Sequence, residues 1–205
     1  MKLWTIQHYQ AYETLINTGI LTARDSDLSC GDDSRYAYDW ISKKMMEYGL
    51  GQPVGIKYPI WAWYQWEGKR KRRDLREGSL EKRGEKAVQL TIEIADSDVL
   101  LSDFDAFHYV LNYWYLPEDE RDGKSFEREY TKLGFSWHDL QNFDIQTQAM
   151  KNTRATIEKS WDRIFDLEKE DENLIYGLNS QKSIQATFWQ LKIEQVTKTE
   201  MFTAK

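Results

Sequence analysis

The densest group of side chains able to do acid–base work lies in the stretch "LLSDFDAFH". If that stretch is helical, Asp103, Asp105 and His108 meet across one turn, close enough for carboxylate and imidazole to exchange a proton. The same residues have a plainer use. An Asp before a helix accepts the free N–H groups of its first turn, and acidic residues there favour the helix dipole. A second group is "YPIWAWYQW", residues 58–66, followed directly by "EGKRKRRDLREG". Aromatic rings beside cations make a platform that stacks a planar ring next to a bound phosphate. They also make a strand buried on both faces, because large rings bury much apolar area.

Familiar catalytic signatures are absent from the sequence. His8, His108 and His138 are far apart, and the one cysteine, Cys30, cannot build a zinc cage. The chain has no HEXXH helix, no Walker or GxGxxG loop and no GxSxG elbow. A metal centre, a P-loop site, a Rossmann site and a serine-hydrolase site are therefore not expected.

The elements that must position these groups follow from hydrophobic period. "KLWTIQ" alternates as a strand, with Leu3, Thr5 and Gln7 opposite Trp4 and Ile6. "HYQAYETLINTG" has helical spacing and a Gly19 C-cap, and "ILTARDSDLSCGDDS" has the composition of a loop. "RYAYDWISKKMMEYGLG" predicts a second helix with Tyr38, Ile41, Met45 and Tyr48 on one stripe. The aromatic stretch predicts a strand with Trp61, Trp63 and Gln65 on one face and Ala62, Tyr64 and Trp66 on the other. "AVQLTIEI" predicts a strand whose Val88, Leu90, Ile92 and Ile94 share a face. The basic stretch between these strands is expected to form a hairpin arm at about residues 67–87. Ser102 or Asp103 is expected to cap a helix with Phe104, Phe107, Val110 and Leu111 on its apolar face. Residues 117–129 look like a polar loop, two further helices follow, and "SIQATFWQLKIEQVTKTEMF" ends the chain as strand, turn and strand. With no repeat or Pro-rich linker, residues 1–205 are expected to form a single α+β domain, with strands near 3, 60, 90 and 185 in one sheet.

Composition narrows the class. Residues 69–86 hold nine Lys or Arg against four Asp or Glu, in a chain of net charge −6. An acidic body with one basic segment holds a phosphate locally instead of coating itself with nucleic acid, or it is simply a solvated tip. No apolar run approaches the roughly 20 residues of a membrane span. The start of the chain lacks the apolar core of a signal peptide, and a single cysteine fits a reducing cytoplasm.

Two resemblances extend this reading. "LWTIQ", "YPIWAWYQ", "LTIEIADSDVLLSDFDAFHYVLN" and "IQATFWQL" occur in the order in which they occur in a bacterial family catalogued as a domain of unknown function, which the chain resembles over nearly all its length. The opening "LWTIQHYQAYETLINTGILTA" is also similar to the start of ADP-ribosyltransferase-like toxins, including their DNA-targeting branch. That resemblance implies an ADP-ribosyltransferase-like fold and NAD as substrate, with ADP-ribose transferred to a macromolecule, nucleic acid among the candidates. It implies a polar residue of the first strand holding NAD, by position Thr5 or Gln7. It implies a middle strand that supplies a Tyr or Ser near the nicotinamide, and an aromatic residue that stacks on the ring, for which Tyr38, Trp61, Trp63 and Tyr64 are the candidates. A late strand is expected to supply a glutamate two residues after a Gln or Ser. Here Gln185 takes the upstream position and Thr187 stands where the glutamate is expected. A hydroxyl can bond a ribose but cannot offset developing positive charge, so another carboxylate, Glu93, Asp103 or Glu194, is needed for transfer. Arg70, Lys71, Arg72 and Arg73 would approach a nucleic-acid backbone, and an antitoxin or chaperone would restrain such an effector. A non-catalytic nucleotide- or nucleic-acid-binding module and a structural or interaction protein are the other expectations.

Overall fold

The computed structural model describes residues 1–23, 35–75, 83–170 and 176–204. Cys30 and part of the basic stretch lie outside them. The chain is α+β and forms two compact units, Met1–Leu101 with Ser183–Lys205, and Ser102–Lys182.

The first unit is built on β1 (Lys2–His8), β3 (Ile60–Gln65), β4 (Lys86–Glu93), β6 (Ile184–Phe188) and β8 (Val196–Thr203). Together with β5 (Leu100–Asp103) they form a sheet in the order β5-β6-β3-β1-β4-β8. The pairings β6–β3, β3–β1, β1–β4 and β4–β8 are all antiparallel. The four strands expected to share a sheet do so. The alternation read from sequence holds in β1 and β4, where Leu3 faces Ile92, Thr5 faces Leu90 and Gln7 faces Val88. These positions lie on the core face with Ile60, Ala62, Ala186 and Phe188, and Leu15, Leu21 and Leu191 pack against them. Full burial of each such side chain is worth about 1.5–3 kcal/mol.

Leu15 belongs to α1 (Tyr9–Thr18), which ends at Gly19 with φ 79°. That left-handed position carries the N–H that bonds back to the Leu15 carbonyl, and glycine occupies it without a Cβ penalty. Immediately afterwards Ile20–Thr22 form β2, which pairs with β7 (Gln190–Lys192). Sequence composition assigned this stretch to a loop. Three residues are too few to show a period, and the pairing partner lies about 170 residues away. The second helix, α2 (Arg35–Glu47), buries Ile41 and Met45 of the expected stripe, while Tyr48 is exposed.

The second unit is helical: α3 (Phe104–Leu111), α4 (Glu120–Lys132), α5 (Trp137–Gln141) and α6 (Gln148–Ser160), followed by a 3-10 turn at Trp161–Phe165. Asp103 caps α3 as expected, its Oδ1 accepting from the Ala106 N–H at 3.0 Å. Helix α4 corrects the expectation of a polar loop. Phe126 is its only buried residue among those described, so a helical stripe was barely visible, although Asp119 caps it and Glu120 and Asp122 fill its first turn. The α5–α6 connection winds around the buried Arg154, whose guanidinium donates to the carbonyls of Asp139, Leu140, Asn142 and Ile145.

Candidate ligand-binding surface

The second face of the sheet collects the chemistry. Directly opposed residues of antiparallel strands point the same way, so the registered pairs define a row across five strands: Gln185, Trp63, Trp4, Thr91 and Lys198. At the usual strand spacing the row is about 19 Å long. Trp63 is 7% exposed and Gln185 6%, yet the Gln185 side-chain Nε2 has no hydrogen-bond partner among the described residues. The same holds for Nε2 of Gln89, two positions from Thr91 on this face. Between β1 and β3 the register holds only one pair, Trp4 with Trp63, and the Thr5 hydroxyl bridges this seam by donating to the Trp61 carbonyl at 2.7 Å.

The basic segment lies against these aromatic residues. After β3 the chain reverses at Glu67 (φ 48°) and Gly68 (φ 71°), with Trp66 and Lys69 exchanging both backbone hydrogen bonds. Positive φ at two central residues is the geometry of a tight hairpin turn, unusual for a glutamate. The Glu67 N–H donates to the Ser183 hydroxyl and its carboxylate pairs with Lys71 at 2.8 Å, which holds the strained turn in place. Each following cation has its own partner. The Arg70 guanidinium sits 3.6 Å over the Tyr64 ring and 5.4 Å from Trp4, donating to the Lys2 carbonyl. Arg72 donates to Gln89 Oε1 at 2.9 Å and pairs with Glu200 at 2.6 Å. Arg73 lies 5.0 Å over Trp66, which meets Trp63 edge-on at 4.7 Å. The aromatic and basic stretches therefore complement one another within the chain. Strand β1 stands between β3 and β4, so these two strands do not pair with one another, and residues 76–82 of the arm expected at about 67–87 lie outside the described residues.

Burial lowers the pKa of Arg70, which Tyr64 partly offsets. Burial opposes ionisation of Glu200, but Lys198 and Arg72 outweigh it and hold that carboxyl below its ordinary value. Arg70, Lys71 and Arg72 remain exposed, so this surface is cationic at neutral pH.

The residues implied for an NAD site are only partly brought together. Trp61 and Trp63 share the polar face with Gln185 and Thr187, since Trp61 faces Thr187 in register. Tyr38 meets Trp61 edge-on at 6.0 Å. Ile60 and Ala62 mark the core face of the aromatic strand, and Tyr64, at a β-bulge between Trp63 and Gln65, touches that core while its ring also meets Arg70. Thr5 is fully buried, accepting from the Gln7 amide and donating to the strand beside it. Thr187 is fully buried as well, and its hydroxyl bonds the Leu100 carbonyl at 3.3 Å. Glu93 and Glu194 are exposed. Sequence reasoning missed Trp4 and Gln89. Their signal was available in the alternation of β1 and β4, which places both on the face opposite the aliphatic residues.

In the second unit, Asp103 is more than a cap. Its carboxylate lies 3.5 Å from the Lys182 ammonium, and both side chains are 1% exposed. Lys182 also donates to the carbonyls of Leu167 and Lys169. Burial pushes the Asp103 pKa up, against the Ala106 hydrogen bond and Lys182. Burial likewise raises Tyr176, whose hydroxyl donates to the Pro117 carbonyl. Asp105 and His108 are exposed, and the His108 ring contacts the Phe104 carbonyl instead of joining Asp103. The expected acid–base cluster is thus replaced by a buried ion pair that staples the start of α3 to residues 167–169.

Among the described residues no group of His, Cys, Asp and Glu can hold a metal ion, and no helix is long and apolar enough to cross a membrane. The architecture is that of an α+β protein whose antiparallel sheet carries one aliphatic face and one aromatic, polar face. Residues 2–197 match the family described as Domain of unknown function (DUF3841), and the chain belongs to that family. No curated protein and no solved structure matches the chain significantly.

Proposed function

We propose that the first unit is a non-catalytic binding module for a phosphate-bearing ligand, a nucleotide or a single nucleic-acid strand. The ligand would be held on Arg70, Lys71, Arg72 and Arg73 and the rings beside them. The observation that carries this reading is Arg70. Its guanidinium sits 3.6 Å over the Tyr64 ring, donates to the Lys2 carbonyl and belongs to a residue exposed at the surface. A guanidinium anchored in this way keeps further N–H groups to grip a phosphate, with less rotamer entropy to lose than a swinging side chain. Arg73, 5.0 Å over Trp66, adds a second cation held against a ring. Thr187 in place of a glutamate supports the non-catalytic form. A hydroxyl buried and committed to the Leu100 carbonyl cannot stabilise an oxocarbenium-like transition state. Tryptophan fluorescence titrations with oligo-dT, NAD and ADP-ribose test the reading. Binding that weakens with salt, and further in Arg70→Ala, is expected; no binding of any of the three at low salt overturns it.

A second reading is favoured by strand adjacency. The first, middle and late strands that the ADP-ribosyltransferase resemblance implies are β1, β3 and β6, which lie side by side. In that reading NAD binds across them, the nicotinamide–ribose bond breaks with nicotinamide leaving, and a nucleophile of a macromolecule attacks the anomeric carbon. Such an effector or toxin calls for a restraining antitoxin or chaperone. Incubation with labelled NAD and cell RNA, DNA and protein separates the readings. Label transfer or nicotinamide release establishes the second, and binding without either establishes the first.

A further inference from the structure

A cleft of about 230 Å³ opens in the first unit, away from the basic segment and from every residue discussed so far as a ligand contact. It is walled by Leu50, Ile94, Phe188 and Trp189, all buried. Trp189 is fixed there by its indole N–H, which donates to the Leu50 carbonyl at 3.1 Å, so this wall is rigid. Asp98, Lys192, Gln190 and Gln195 supply the polar part of the lining.

Two features of that lining point to a ligand. Asp98 and Lys192 both line one small cleft; the Asp98 carboxylate accepts from the Ser97 hydroxyl at 3.2 Å, yet neither residue has an ion-pair partner among the described residues, and they do not pair with each other. The Gln195 Oε1 accepts from the Lys192 backbone N–H at 2.7 Å, which orients the Gln195 amide. A carboxylate and an ammonium that line one cleft without pairing match a molecule that carries both charges itself. At about 30 Å³ per water in the liquid, 230 Å³ corresponds to roughly eight waters. That accommodates a compact zwitterion.

We propose that this cleft binds a small zwitterion of the α-amino-acid class with a short apolar side chain. Its carboxylate would meet Lys192, its ammonium Asp98, and its side chain the Trp189, Phe188 and Ile94 wall. The site is independent of the phosphate-binding surface, and its success or failure leaves that reading untouched.

The test is isothermal titration of the full chain with free valine and leucine, alongside isovalerate (carboxylate only) and isobutylamine (ammonium only). The amino acids bind, and each single-charge analogue binds about tenfold more weakly or worse, as loss of one charge-assisted hydrogen bond requires. Lys192→Met and Asp98→Asn each weaken the amino acid by a similar factor, and since Asp98 is exposed and Lys192 only half-buried, neither is a folding risk. No heat with either amino acid overturns the proposal. So does equal binding of a single-charge analogue, or binding indifferent to Lys192→Met and Asp98→Asn.

Discussion

Replacing Asp103 by Asn tests whether this residue is structural or catalytic. At the 3.5 Å separation from Lys182, opposite charges attract by about 5 kcal/mol at an effective dielectric of about 20. Desolvating both groups offsets much of that attraction, so the pair itself contributes little net stability. Breaking it is another matter, because a buried ammonium then keeps only the carbonyls of Leu167 and Lys169; loss of one partner costs about 3–5 kcal/mol. Asn retains an oxygen for the Ala106 N–H, so Asp103→Asn spares the cap and should cost about 3 kcal/mol, whereas Asp103→Ala loses the cap as well, about 1 kcal/mol more. Lys182→Met leaves the carboxylate buried and is costly in turn. The double variant Asp103→Asn/Lys182→Met removes both charges, and its destabilisation should fall about 2–3 kcal/mol short of the sum of the single ones. Urea unfolding followed by tryptophan fluorescence measures all four corners of this cycle. Additive single effects, or an Asp103→Asn protein within about 0.5 kcal/mol of the parent, would refute the ion-pair argument. A stable Asp103→Asn protein that lost nicotinamide release would return Asp103 to a catalytic role.

Thr187→Val removes a buried hydroxyl bonded at 3.3 Å and should cost about 1 kcal/mol of stability, with NAD and oligo-dT affinity unchanged in the same titrations. Arg154→Lys keeps the charge but cannot reproduce four carbonyl contacts from one fork, and it should lower the thermal midpoint clearly, by the equivalent of about 2–3 kcal/mol.

The sheet was legible where alternation is long enough to read. Seven residues of β1 and eight of β4 place Leu3, Val88, Leu90 and Ile92 on the core face without ambiguity. Helix α4 and strand β2 were not legible. The former buries one side chain among those described and the latter is three residues long, so neither offers a period to count. The candidate surface was legible only in part. Alternation put Trp61 and Trp63 on one face, whereas Gln185 entered only through the resemblance; the structure sets Trp63 opposite Gln185 and Trp61 opposite Thr187. What local pattern cannot carry is a long-range partner. Nothing near Asp103 in sequence announces Lys182, and nothing in "KRKRR" announces that Arg70 will lie on Tyr64 or Arg72 on Gln89. The reversal at Glu67 and Gly68 sends the basic segment back over the rings, and that turn depends on a positive φ at a glutamate.

The central claim is that residues 70–73 form a phosphate-gripping surface on an aromatic base. It is tested most directly by the salt dependence of oligo-dT binding in the parent protein and in Arg70→Ala/Arg72→Ala. The account predicts measurable binding at low salt whose logarithm falls linearly with the logarithm of salt concentration. The slope should be smaller by about 1–1.5 in the double variant, at about 0.7 per phosphate contact on a single strand. An unchanged slope and affinity in the double variant, or the absence of binding at low salt, would contradict it.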